Sequence, residues 1–423
     1  MYNGAGVFQL AVVGKNKIRE YDKTLEKKLE ILDALRFQER YLELDNDLVM
    51  ILHYFNPSLL NEESRGIVYV ECYPDDLVNF FEKIRLDTSL EDLGEMLNNI
   101  DGFFTGFIVD KSRVVMFRDH VGAIPYSYKV GDESLMVASF KKMVGSSTSL
   151  PPGRIMVWDN RSLKIYRWFR WKHLDGDHVE ELKNRLVDAF SRYLPESFSL
   201  GFSGGLDSVL IAYVGSMLGR RIECITVGAE DSIDSQWAEE AALQLGLKLK
   251  KILIDEKLVK NTVDAVSRYL VEPNIMDLSI ASVFYLVATN SVYNFIVSGQ
   301  GADELFGGYY KYVKLGREKG LEYAQGVMMK DILELHKTNI ERDYLTVMTL
   351  GKRLIQPYLA KKIYEAALST PINMKIKLEN NSNRKIILRK VGRMLKLPDE
   401  LVWKPKKALQ YSSKIQKIVF SIV

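Results

Sequence analysis

The apolar positions change their rhythm once along this chain. Through about the first 170 residues they fall in short aromatic and β-branched runs closed by turn formers, as at 66–73, 103–110 and 113–117, which predicts strands of a β-rich domain. Asp110-Lys111-Ser112 reads as a hairpin connection. Pro151, Pro152 and Gly153 then punctuate the chain, and a further strand pair is expected at 156–158 and 164–168. The polar stretch from His173 to His178 marks the boundary, giving domains over residues 1–172 and 178–423.

Past that boundary, apolar strand-like runs alternate with helical patterns. A helix over 179–193 precedes a strand ending at Phe202. A helix over 208–218 follows, with Gly219 just beyond its end. Strands at 221–227, 250–254 and 294–297 are separated by helices over 235–245 and 278–289. This alternation implies right-handed crossovers and a doubly wound parallel sheet covered on both faces, with ligands at the carboxyl ends of its strands. Residues 310–423 read as mostly helical, with a polar loop at 379–383.

One such carboxyl end carries Ser203-Gly204-Gly205-Leu206-Asp207-Ser208. Gly204 and Gly205 let the backbone turn tightly and bring several N–H groups to one anion, and the helix that follows points its positive dipole end at the same place. Ser203 and Ser208 can donate to phosphate oxygens. Asp207 would repel a polyphosphate unless a divalent cation bridged them, so the string reads as a site for a nucleotide pyrophosphate with Mg²⁺. A second string, Ser298-Gly299-Gln300-Gly301-Ala302-Asp303-Glu304-Leu305-Phe306-Gly307-Gly308-Tyr309, also follows an expected strand. If both strands share a sheet, Asp303 comes near Asp207 and the two carboxylates surround one Mg²⁺. Taken alone, Asp303 and Glu304 would read as helix-capping residues.

Composition narrows the remaining classes. With 58 basic and 55 acidic residues the net charge is +3, which makes no case for a nucleic-acid surface. Small-molecule partners are expected instead. Cys72 and Cys224 stand far apart, which excludes a disulfide framework and argues against cysteine-ligated zinc or iron–sulfur. Five histidines lack ligand spacing. No run of about 20 apolar residues suits a membrane span, so a cytoplasmic location is the expectation. Trp158, Trp168 and Trp171 are expected to pack between the domains.

The two glycine-rich strings, in this order, resemble the asparagine synthetase family of ATP-pyrophosphatases, and the second is the more specific to it. Lys385-Ile386-Ile387-Leu388-Arg389 resembles the family's Lys-X-X-Leu-Arg helix, and the tail from Leu397-Pro398 through Lys406 its lysine-rich end, in a form similar to archaeal members. The resemblance implies a catalytic Lys406. It implies ATP or pyrophosphate contacts from Ser203, Gly204, Gly205, Asp207, Ser208, Val227, Gly299 and Gln300, with Mg²⁺ on Asp207 and Asp303. Lys385 and Arg389 are further candidates for phosphate contacts, with a solvated helix face as the alternative reading. The segments at 101–107 and 117–126 resemble the class II glutamine amidotransferase domain, which implies an N-terminal αββα sandwich of Ntn-hydrolase type.

The family's glutaminase uses an N-terminal cysteine, where this chain has Tyr2, a phenol with an unperturbed pKa near 10. Glutaminase chemistry is therefore expected to be absent. Nitrogen would come from ammonia or from an amine on the substrate. On the acceptor side, Arg353, Ile355 and Ala360 stand where the family carries Glu, Arg and Asp, and a cation cannot deprotonate an amine. The implied reaction is amide formation through an acyl-adenylate, with release of AMP and pyrophosphate. The alternatives are a specialised reaction of β-lactam-synthetase or lasso-cyclase type, a tRNA-modifying ATP-pyrophosphatase, or a catalytically inactive nucleotide-binding relative. The carboxylate, the amine and the oligomeric state, a homodimer included, are left open.

Overall fold

The computed structural model describes residues 6–14, 37–44, 48–63, 66–111, 113–145, 147–159, 162–230, 232–379, 384–404 and 414–422. Two compact units emerge. One comprises Met1–Arg170 with Tyr269–Val271 and His336–Gly351; the other comprises Trp171–Arg268, Glu272–Leu335 and Lys352–Val423.

The first unit is built on twelve described strands: β1 (Val7–Gly14), β2 (Gln38–Glu43), β3 (Leu48–Phe55), β4 (Leu59–Glu63), β5 (Gly66–Tyr73), β6 (Phe103–Asp110), β7 (Val114–Arg118), β8 (Ser127–Gly131), β9 (Ser134–Ala138), β10 (Thr148–Ser149), β11 (Arg154–Trp158) and β12 (Leu163–Arg167). They form two sheets, β10-β8-β9-β1-β3-β2 and β12-β11-β7-β6-β5-β4, antiparallel throughout. Strand alternation makes the core. Phe8, Leu10 and Val12 of β1 meet Tyr69, Phe107, Met116 and Trp158 of the second sheet in one cluster, while the intervening residues face the other way. The Phe8 ring lies 4.8 Å from Tyr69, 5.2 Å from Phe107 and 5.3 Å from Tyr126. On the outer face of the second sheet, helix Leu90–Asn98 sets Gly94 against Trp168 and Ile155.

The tryptophan expectation fails at two of its three positions. Trp158 belongs to the inter-sheet core, and Trp168 packs on Phe104 and donates its indole N–H to Arg118 O at 3.2 Å, both inside the first unit. The segment after β7 is held by a buried pair of neighbours. The Asp119 carboxylate accepts from the N–H groups of Phe104, Val121, Gly122 and Ala123, and Arg118 donates to the carbonyls of Gly122, Ile124 and Leu150. Burial pulls the Arg118 pKa down to about 10, still charged at neutral pH.

In the second unit, β13 (Ser197–Gly201), β14 (Arg221–Gly228), β15 (Leu249–Leu253), β16 (Phe295–Val297) and β17 (Arg353–Ile355) form a sheet of order β15-β14-β13-β16-β17, every pair parallel. The mixed α/β architecture is the one expected, with one addition. Three residues led by an arginine carry no strand pattern of their own, yet β17 adds to the edge beside β16 because Leu354 and Ile355 are buried there. Chain order reverses between β13 and β16. A parallel sheet opens its crevice at such a point.

Lys375 closes the short helix Ile372–Lys375 and is only 5% exposed, with Nζ 4.0 Å from Met328 Sδ. Burial drives its pKa from 10.5 down to about 7. Between these values the folded chain binds fewer protons than the unfolded one, so stability rises with pH through that window. Lys375→Met is expected to stabilise the protein by a few kcal/mol below pH 7, a gain that shrinks toward pH 10.5. Thermal melts of both proteins across that range check it; an equal gain at every pH would contradict it.

Candidate active site

Adjacent strands β13 and β16 deliver the two glycine-rich strings to neighbouring strand ends. After β13, Phe202 still bonds to Ile225 O at 2.8 Å, and the chain then turns through Gly204 at φ +67°. A Cβ on Gly204 would lie 2.3 Å from Trp237 O, so only glycine fits this turn. The following helix, Leu206–Met217, starts two residues earlier than expected, with Gly205 as its N-cap. Asp207 thereby falls in the first turn, where the helix dipole favours a carboxylate. Ser203 Oγ accepts from Gly205 N at 3.3 Å, and Ser208 Oγ donates to Gly205 O at 3.1 Å.

After β16, Gln300 N approaches Ser298 Oγ at 3.4 Å and Gly299 lies against Asp207. Asp303 and Glu304 occupy the first turn of helix Ala302–Phe306, whose N-cap is Gly301, so they are not its capping residues. Val227 is buried near the carboxyl end of β14.

Lys385 joins these elements. It is 2% exposed and precedes helix Ile386–Met394 with a left-handed φ of 57°, a conformation that lysine rarely adopts. Its ammonium pairs with Asp207 and, at 2.5 Å, with Asp303. Gly308 makes this approach possible, since a Cβ there would sit 1.8 Å from Asp303 Oδ1 and 2.4 Å from Lys385 Cε. Tyr358, just past β17, donates its hydroxyl to Asp207 O at 3.2 Å and packs its ring on Phe190 and Phe306. Tyr309 donates to Glu304 at 2.7 Å, and burial together with Asp303 raises the Glu304 pKa to about 7.

The solvated-face reading of Lys385 and Arg389 is overturned, because both are buried. Arg389 spends its donors on backbone carbonyls of Arg384, Val402 and Lys404, which makes it a structural clamp. Lys404 in turn pairs with Glu240 at 2.7 Å and lies 5.1 Å over Trp237, the residue whose carbonyl backs Gly204. Lys406 and Tyr2 lie outside the described residues. Arg353 is buried within β17. Sequence reasoning did not single out Arg384, which donates to Gly308 O at 2.9 Å, or Tyr358; the signal for Arg384 was its place immediately before the Lys385 motif.

Two acidic helix starts, gathered on one lysine at the ends of adjacent parallel strands and beside a glycine turn flanked by two serine hydroxyls, can hold a polyphosphate with its counter-cation. The asparagine synthase family model matches residues 181–321 and 316–419. A putative glutamine-hydrolysing asparagine synthetase of Methanocaldococcus jannaschii is 30% identical over 391 residues, covering 78% of this chain and 72% of that protein. Asparagine synthetase B of Escherichia coli is 26% identical over 345 residues, covering 74% of this chain and 61% of that protein. Among solved structures, a glutamine phosphoribosylpyrophosphate amidotransferase from B. subtilis matches at TM-score 0.33 and 11% identity, covering 60% of this chain and 92% of that one. At that score the likeness has no bearing on activity. The chain belongs to the asparagine synthase family. It is an ATP-dependent ligase, of the class that forms amides. Among the described residues no helix is long and apolar enough to cross a membrane.

Gly308→Ala is expected to force Asp303 and Lys385 apart, costing about 1–3 kcal/mol of stability by overpacking. It should also weaken nucleotide binding by at least tenfold, about 1.4 kcal/mol. Equilibrium dialysis with labelled ATP, alongside thermal melts, reads both; unchanged ATP affinity would show that the clasp does not shape the site.

Proposed function

We propose that residues 178–423 activate a carboxylate as its adenylate and pass the acyl group to an amine. The observation that carries this is the convergence of Asp207 and Asp303 on one cationic position beside the Gly204 turn. Two carboxylates at one cation fit Mg²⁺, which completes its shell with water and substrate phosphates. Asp207 and Asp303 would hold it. When bound, it would neutralise charge building on the leaving pyrophosphate.

The chain's own groups would do the rest. Backbone N–H groups at 204–208, with Ser203 and Ser208, would hold the β- and γ-phosphates, and Gly299 and Gln300 with Val227 would line the nucleotide. A carboxylate oxygen of the substrate attacks the α-phosphorus and pyrophosphate leaves. The amine nitrogen then attacks the acyl carbon, AMP departs with the bonding pair, and the nitrogen loses a proton. Lys406, two residues after Lys404 in the sequence, is the proposed cation at the α-phosphate.

Residues 1–172 are proposed as an amidotransferase-like domain without glutaminase action. Tyr2 supplies no thiol, and aromatic rings of Phe8, Tyr69, Phe107 and Tyr126 fill the space between the sheets at the start of β1. Ammonia or a substrate amine is then the nitrogen source. Arg353, buried where the family carries a glutamate, supports an acceptor pocket that differs from the family's own.

Substrate-dependent ATP–pyrophosphate exchange, screened across aspartate, glutamate, other carboxylates and peptides, tests the first half of the reaction. Exchange is expected with at least one carboxylate and should fall by about 100-fold or more in Asp207→Ala and in Asp303→Asn. ATP binding without exchange on any substrate would favour an inactive nucleotide-binding relative. With glutamine as the nitrogen source, glutamate release is expected to stay at the blank; release above it would restore glutaminase action.

A further inference from the structure

The Lys385 ammonium occupies the point on which the Asp207 and Asp303 carboxylates converge. It pairs with both carboxylates, at 2.5 Å for Asp303, and the lysine side chain is 2% exposed, whereas the Asp207 and Asp303 side chains keep 15% and 20% of their surface open. The backbone holds it there in a left-handed conformation, and Gly308 packs directly against Lys385 Cε and Asp303 Oδ1. A free divalent ion would meet carboxylates already neutralised in part, and would face an ammonium in the same small space. Among the described residues, no group of three or more His, Cys, Asp or Glu side chains is placed to hold a metal ion. The protein alone therefore offers a divalent cation an incomplete and already occupied set of ligands.

We propose that Lys385 is a resident counter-ion that makes metal entry depend on nucleotide. In the nucleotide-free protein its ammonium holds Asp207 and Asp303 together and keeps divalent ions out. A polyphosphate offers oxygens to the ammonium and to the metal at once, so Lys385 turns from the carboxylates to the phosphates as the metal takes its place. Metal and nucleotide enter as one unit. Removing the ammonium would then uncouple them, leaving two carboxylates facing each other with no cation and a gain in affinity for free metal. This rests on the reading of the cluster as a metal–ATP site.

Mn²⁺ is the probe, followed by the electron paramagnetic resonance of the free ion, on the full chain with and without a non-hydrolysable ATP analogue. The unaltered protein is expected to take up Mn²⁺ about tenfold or more tightly with the analogue than without it. Lys385→Met should bind nucleotide-free Mn²⁺ about tenfold more tightly than the unaltered protein, and should bind the analogue about tenfold more weakly. Adding Asp303→Asn to Lys385→Met should abolish the gained Mn²⁺ site. Lys385→Gln serves if the methionine variant does not fold, as judged by circular dichroism. Equal Mn²⁺ affinity of the unaltered protein with and without the analogue overturns the proposal, as does a folded Lys385 variant with no gain in nucleotide-free Mn²⁺ uptake. If neither protein binds the analogue at all, the metal–ATP reading itself fails, and this proposal with it.

Discussion

A buried lysine between two aspartates sets the terms for the second unit. Charges this deep are tolerated only when paired, and breaking such a pair by removing one partner commonly costs about 3–5 kcal/mol. The three groups come from the carboxyl side of β13, the carboxyl side of β16 and the residue before helix Ile386–Met394, so the pairing fixes three separate segments to one point. Its neighbours are shaped around it. Gly308 has no side chain because two of the three partners occupy that space, and Tyr358 secures the backbone of Asp207 from the far side.

The parallel sheet explains why the clasp lies where it does. Neighbouring β13 and β16 are separated in sequence by two complete strand–helix excursions, through β14 and β15, and the reversal of order between them leaves their carboxyl ends facing an open crevice. Helix Leu206–Met217 and helix Ala302–Phe306 both begin at that edge and both carry an acid in the first turn. One requirement, charge at a dipole end, thus recurs on adjacent strands and yields a site when the sheet closes.

The fold was largely legible because strand and helix periods are local properties. The runs at 66–73 and 103–110 coincide with β5 and β6, and the βα alternation after residue 178 yields the parallel sheet. The departures share a cause. Arg353-Leu354-Ile355 is too short and too polar at its start to announce a strand, and only the vacancy beside β16 makes it one. Lys385 and Arg389, one just before and one within the amphipathic helix Ile386–Met394, look the same in sequence whether their charges meet water or, as here, distant carboxylates and backbone carbonyls. Burial of a charge is a tertiary fact. Asp207 and Asp303 were recognisable as a pair, whereas the lysine that unites them could be named only as a phosphate candidate.

The stretch His336–Gly351 groups with the first unit, although the chain before it and after it belongs to the second. Within that first unit Glu341 accepts from Lys141 N at 3.1 Å and pairs with its ammonium at 3.4 Å. The polypeptide therefore leaves the second unit after Leu335 and returns at Lys352, immediately ahead of β17. No single scission at the polar boundary yields two self-sufficient pieces. A fragment starting at residue 178 would carry the helical stretch 336–351, with apolar Ile340, Leu345, Val347 and Met348, without the unit it groups with, tethered to helix Leu321–Leu335 at one end and to the strand that bears Arg353 at the other.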